Sequence, residues 1–90
     1  MTFTVTWNEA ALDELLQLWN DAKDRGSITL AAKAIDPTLR NDPVLRGETY
    51  TASTRVLILR PLLVIYRVFE ADRVVKILSV CRAPPIADHG

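Results

Sequence analysis

The sequence predicts an α+β domain: an N-terminal strand, a helical hairpin, then a three-stranded antiparallel meander, with the helices packed on one face of the sheet. Three observations predict it. Residues 3–7 alternate apolar side chains with threonine, the period of a half-buried strand. Residues 9–39 carry apolar side chains at helical spacing, interrupted around Gly26. Residues 55–82 hold three stretches rich in Val, Ile and Leu, joined by connections too short for anything but antiparallel turns.

The opening strand places Phe3, Val5 and Trp7 on one face and Thr2, Thr4 and Thr6 on the other. Asn8 suits a helix N-cap, and Trp7 with Leu12 fits the hydrophobic staple around it. Leu12, Leu15, Leu16, Trp19 and Ala22 form the apolar side of the first helix, opposite Glu9, Asp13, Gln17, Asn20, Asp21 and Asp24. Gly26 is expected to end that helix in the left-handed conformation, and Ser27 to cap the next. The second helix carries Ile28, Ala31, Ala32, Ile35 and Leu39; Pro37 should kink it without ending it, because Ile35 and Leu39 stay in phase. Asn41-Asp42-Pro43 closes the helical region, and residues 47–53 read as a loop or irregular edge.

Residues 55–60, 62–69 and 73–82 then read as strands. Both alternating sets of residues 62–69 are apolar, as in a central strand. The sheet face away from the helices would therefore carry much apolar surface, of the kind that marks an interaction site. The tail from 83 to 90, with Pro84-Pro85, reads as loose.

Ninety residues make a single domain, 1–90, and 49% apolar content excludes a generally disordered chain. Eleven bases against eleven acids exclude a protein coated in positive charge for nucleic acid, although a local patch remains open. The charges segregate, however. Residues 1–42 hold seven acids and four bases, residues 43–90 four acids and seven bases. One Cys cannot form an internal disulfide, and one Cys with one His cannot build a structural zinc site, so no metal is expected. Three isolated glycines make no phosphate-binding loop, and no cofactor is expected. No apolar run reaches membrane-spanning length and no signal-peptide pattern opens the chain. The expectation is a soluble, cytoplasmic protein without membrane contact.

Tyr66 reads as a core aromatic, Cys81 as a small buried hydrophobe in phase with Val75 and Ile77, and His89 as a tail residue without a ligand role. Glu14 and Asp21 read as solvated helix charges.

The string RVLILRPLLVIYRVFEADRVVKILSV, with LLQLW, IDPTLRNDP and RGE upstream, resembles the RelE/ParE superfamily of type II toxin–antitoxin toxins from Phe3 to Arg82. The resemblance implies a cytoplasmic bacterial protein that inhibits growth, contributes to plasmid stabilisation and is neutralised by a cognate antitoxin. RelE-like members cut ribosome-bound mRNA without a metal; ParE-like members act on DNA gyrase. Metal-free cleavage needs a base, an acid and cations on the charged phosphorane, a role that suits arginine. The catalytic candidates under a RelE-like reading are Arg55, Arg60 and Arg82; the partner-binding candidates are Arg55, Arg67 and Arg82. Arg55 and Arg60 share one site only if a bulge intervenes or Arg60 lies in the turn. Leu63 stands where the family has an arginine before the V-I-Y core, and no Tyr follows Tyr66. A ParE-like binder is therefore favoured, with a metal-independent endoribonuclease or a non-toxic partner-binding remnant as alternatives. The partners implied are an antitoxin and either DNA gyrase or the ribosome with mRNA, in a homo-oligomer or a toxin–antitoxin hetero-oligomer.

Overall fold

The computed structural model describes residues 2–85. Its elements are β1 (Thr4–Trp7), α1 (Glu9–Asp21), α2 (Arg25–Arg40), β2 (Glu48–Thr49), β3 (Arg55–Leu59), β4 (Leu62–Phe69) and β5 (Val74–Arg82). The expected meander, β3-β4-β5, is the centre of a five-stranded sheet ordered β1-β5-β4-β3-β2. The opening strand joins it parallel to β5, and β2 extends the other edge antiparallel to β3. The two-residue β2 falls in the segment expected to be irregular. The α+β architecture with both helices on one sheet face is as expected. No helix among the described residues is long and apolar enough to cross a membrane.

The helix boundary differs from the expected one. Asn8 does cap α1, its side chain accepting from the Ala10 amide. At the other end α1 stops at Asp21, and Gly26 lies within α2. The Arg25 side chain explains this. It donates to the Trp19 and Asn20 carbonyls, both at 2.9 Å, and its guanidinium lies 4.8 Å from the Trp19 ring centre. An arginine thus satisfies the carbonyls a left-handed glycine would otherwise leave to a Schellman turn. Asp24, not Ser27, holds the α2 N-cap position, without a side-chain bond to that helix. Pro37 sits inside α2, which runs on to Arg40. Ile35 and Leu39 are fully buried on either side of the proline, and an Asp36–Arg40 ion pair spans it.

The core lies between α2 and the sheet. Ile28, Ala31, Ile35 and Leu39 meet Leu62, Val64, Tyr66, Val75, Ile77 and Val80. From α1 only Ala11 is fully buried. Leu12, Leu16 and Trp19, expected on the apolar face, keep 45%, 60% and 40% of their surface exposed.

A β-bulge decides which side chains of β5 face the core. Tyr66 pairs with Ile77 but Ile65 with Ser79, so Leu78 is an extra residue. Val75 and Ile77 point inward before the bulge; after it Val80 does, and Cys81 is exposed rather than buried. The same reset turns Arg82, opposite Leu62, toward the helices. His89 lies outside the described residues.

Candidate functional site

The arginines singled out from sequence stand at three places. Arg55 opens β3 opposite Tyr66, whereas Arg82 closes β5 opposite Leu62. Four residues along β4 separate those positions, roughly 13 Å of strand. Arg60 lies in the β3–β4 turn, at the Arg82 end of the sheet. The structure therefore brings Arg60 and Arg82 to one end and leaves Arg55 at the other.

Each of these guanidiniums is engaged within the chain. Arg55 donates to the carbonyls of Arg46 (3.1 Å) and Gly47 (3.2 Å) and to Thr49 Oγ1 (3.3 Å). The Tyr66 hydroxyl reaches the Pro43 and Arg46 carbonyls at 2.8 and 2.7 Å. Arg55 and Tyr66 together hold the 43–49 segment against the sheet. Tyr66 is fully buried, and that burial raises its phenol above the ordinary value, partly offset by the Arg55 guanidinium beside it. Arg60 donates to the Pro84 carbonyl at 2.9 Å and steadies the chain as it leaves β5.

Arg82 forms a two-pronged ion pair with Asp24 at 3.0 and 3.1 Å, linking the end of β5 to the start of α2. Hydrogen bonding to Arg82 holds the Asp24 carboxyl below its ordinary range, and the same contact raises Arg82. A depressed carboxylate pKa adds stability that is present above the unfolded-state value, about 3.9, and is lost as pH falls through the folded value. The wild-type melting temperature should therefore fall faster than that of Asp24→Asn below about pH 4. Equal slopes in thermal melts from pH 5 to pH 2 would remove this role from the pair.

Glu14 is exposed, as expected, and also has a structural task. Beyond Ile77 the outer edge of β5 is no longer paired with β1, and there Glu14 accepts from the Val80 amide and the Ser79 hydroxyl, both at 3.2 Å. Asp21 accepts from Gln17 on the exposed side of α1.

Two surfaces remain available to a partner. The first is an apolar groove of about 490 Å³ between the helices, where Trp7, Leu15, Leu16 and Trp19 face Ile28 and Ala32. Trp19 Nε1 donates to Thr29 Oγ1 across it at 3.1 Å. The second is the sheet face away from the helices. Strand register places Val56 beside Ile65, Ile58 beside Leu63, and Arg67 beside Lys76 on that face. Arg55 and Arg82 are on the helix side, so of the three partner-binding candidates only Arg67 belongs to the open face. Lys76 was not singled out from sequence, although it is the one charge within residues 74–81.

No family model and no curated protein matches the sequence. Solved structures do match its shape. A chain of the RelBE2 toxin–antitoxin complex from Mycobacterium tuberculosis superposes with a TM-score of 0.77 at 19% identity, covering 92% of this chain and 93% of that one. A chain of the chromosomal ParDE system from P. aeruginosa gives 0.72 at 16% identity, covering 92% and 98%. A chain of the archaeal RelE–RelB complex from Pyrococcus horikoshii gives 0.64 at 23% identity, covering 91% and 96%. The protein shares the RelE/ParE-like α+β fold of these chains over nearly its whole length.

Proposed function

We propose that this protein is the toxin of a type II toxin–antitoxin module, acting in the cytoplasm by binding a cellular target and neutralised by a cognate antitoxin. The observation that carries the proposal is full-length likeness to chains of both RelBE and ParDE systems. Two further features support it. Exposed apolar side chains line the helices, and Ile58 stands exposed on the open sheet face beside the half-buried Val56, Leu63 and Ile65, as expected of a chain with a missing partner. Arg55 and Arg82, two of the candidate phosphate ligands, are spent on the chain's own carbonyls and on Asp24.

The second feature favours ParE-like action, with DNA gyrase as target, over cleavage of mRNA by Arg55, Arg60 and Arg82. A phosphorane-stabilising site needs guanidiniums that converge on one phosphate with donors to spare. Here they are split between two ends of the sheet.

Inducing the isolated gene in a bacterial host is expected to stop growth, and co-expressing the product of the adjacent reading frame to restore it. Purified gyrase should lose supercoiling activity while message stays intact. Normal colony growth would overturn the toxin reading. Ribosome-dependent message cleavage that disappears in Arg55→Ala and Arg82→Ala would replace the gyrase reading with the nuclease one.

A further inference from the structure

The open sheet face divides into two chemical halves. Val56, Ile58, Leu63 and Ile65 form an aliphatic patch; none of them packs on the core, and Ile58 alone keeps 44% of its surface exposed. Beside this patch, Arg67 and Lys76 are direct cross-strand partners, and both are exposed. Arg67 lies over the Phe69 ring, 4.9 Å from its centre. Among the described residues neither cation meets a carboxylate. Like charges placed directly opposite repel, and the Phe69 ring beneath Arg67 offsets this only in part.

We infer that this face is the seat of the antitoxin, through a segment that lays an aliphatic side chain on the Val56–Ile65 patch and a carboxylate between Arg67 and Lys76. The inference rests on the toxin reading and deepens it. Charge complementarity selects the carboxylate, and the adjoining aliphatic patch selects a polypeptide over a nucleic acid. A phosphate backbone gains nothing from valine, isoleucine and leucine, and the aromatic Phe69 that could stack a base is already covered by Arg67. The carboxylate also answers the repulsion built into the sheet, so docking gains an ion pair on both sides at once.

The test uses the full chain and the protein encoded by the adjacent reading frame, with affinity measured by calorimetry. Charge reversal in Arg67→Glu/Lys76→Glu keeps a like-charged pair and should lower the melting temperature only slightly, through the lost Arg67–Phe69 contact. It is expected to weaken the complex at least 30-fold, and Leu63→Asp, on the same face, at least 10-fold. Arg82→Ala should change affinity less than 3-fold. Lys76→Glu alone, which keeps the Arg67–Phe69 contact, should raise the melting temperature by converting repulsion into attraction, while still weakening the complex; a purely structural residue would not move the two readouts in opposite directions.

If the complex forms and charge reversal changes affinity less than 3-fold, the inference falls and the toxin reading stands. If wild type neither binds that protein nor arrests growth, both fall. Binding of a 12-nucleotide oligouridylate that charge reversal abolishes would assign the face to nucleic acid instead. Self-association abolished by the same variant would assign it to a second copy. An effect that vanishes when residues 86–90 are deleted would assign it to the chain's own tail.

Discussion

Gly47→Ala is expected to destabilise the protein by roughly 2–4 kcal/mol, from left-handed backbone strain and a steric overlap that cannot relax cheaply. At about 4–8 °C per kcal/mol for a domain of this size, thermal melts should shift down by roughly 8–30 °C. Gly47 has φ near +60°, and a Cβ there would overlap the Val56 carbonyl oxygen and press on the Leu57 Cα. Both obstacles are backbone, and neither can move freely. Val56 pairs with Glu48 on one side and Ile65 on the other, so relief means peeling β2 from β3 or β3 from β4. Loss of β2 would also free the Gly47 carbonyl that Arg55 now uses. Gly26 is the internal control. It lies in the first turn of α2, and a Cβ added there meets nothing within 4 Å. Gly26→Ala should therefore be neutral or stabilising, up to about 1 kcal/mol, because alanine loses less backbone entropy in a helix. A melt in which both variants move together would mean that the β2–β3 contact is not what Gly47 protects.

The contrast between these glycines shows what sequence carried and what it did not. The three aliphatic stretches announced the meander, since each is long enough for one strand and the connections allow only hairpins. Residues 62–69 announced a central strand because neither alternating set is polar. The boundary expected at Gly26 differs from the structure because a glycine after a helical run is a strong stop signal. Capping by the side chain of Arg25 leaves no comparable mark.

The same limit applied to the candidate site. Residue alternation placed Arg67 on the face of Leu63 and Ile65, where it is. It could not place Cys81 and Arg82, because the bulge at Leu78 reverses alternation in mid-strand and nothing in VVKILSVCR announces it. Nor could spacing show that Arg55 and Arg60 are bound by carbonyls, since those acceptors belong to residues far away in sequence or to main chain with no side-chain signature. Lys76 could have been found: a lone charge within an aliphatic strand faces either solvent or a partner. Its neighbour could not, because the pairing with Arg67 depends on the hairpin register and on where the bulge falls.

Tyr66→Phe tests the other fixed point of the 43–49 segment. The ring would still fill its place in the core, so the variant isolates the hydroxyl. That hydroxyl has one proton and two carbonyl neighbours, Pro43 and Arg46, and removing it leaves the buried Pro43 carbonyl with only the 3.3 Å contact from the Arg46 amide, and the Arg46 carbonyl with the Arg55 guanidinium. The expected cost is about 1–3 kcal/mol. Tyr66→Ala, which also opens a cavity beneath α2, should cost about 3–5 kcal/mol. Arg55→Ala should be non-additive with Tyr66→Phe, because both side chains donate to the same Arg46 carbonyl; a double-mutant coupling of about 0.5–2 kcal/mol is expected.

Alkali supplies an independent readout. Burial raises the Tyr66 phenol in the folded state, so above about pH 10 the unfolded chain releases a proton that the folded chain retains. Stability from this group is thus present below the unfolded pKa and falls as pH rises beyond it. The wild type should lose more stability than Tyr66→Phe between pH 9 and pH 11 in urea melts, since the phenylalanine has nothing to ionise. Equal losses, together with full additivity with Arg55→Ala, would mean that the segment is held by packing of the buried Pro43 alone and that neither donor anchors it.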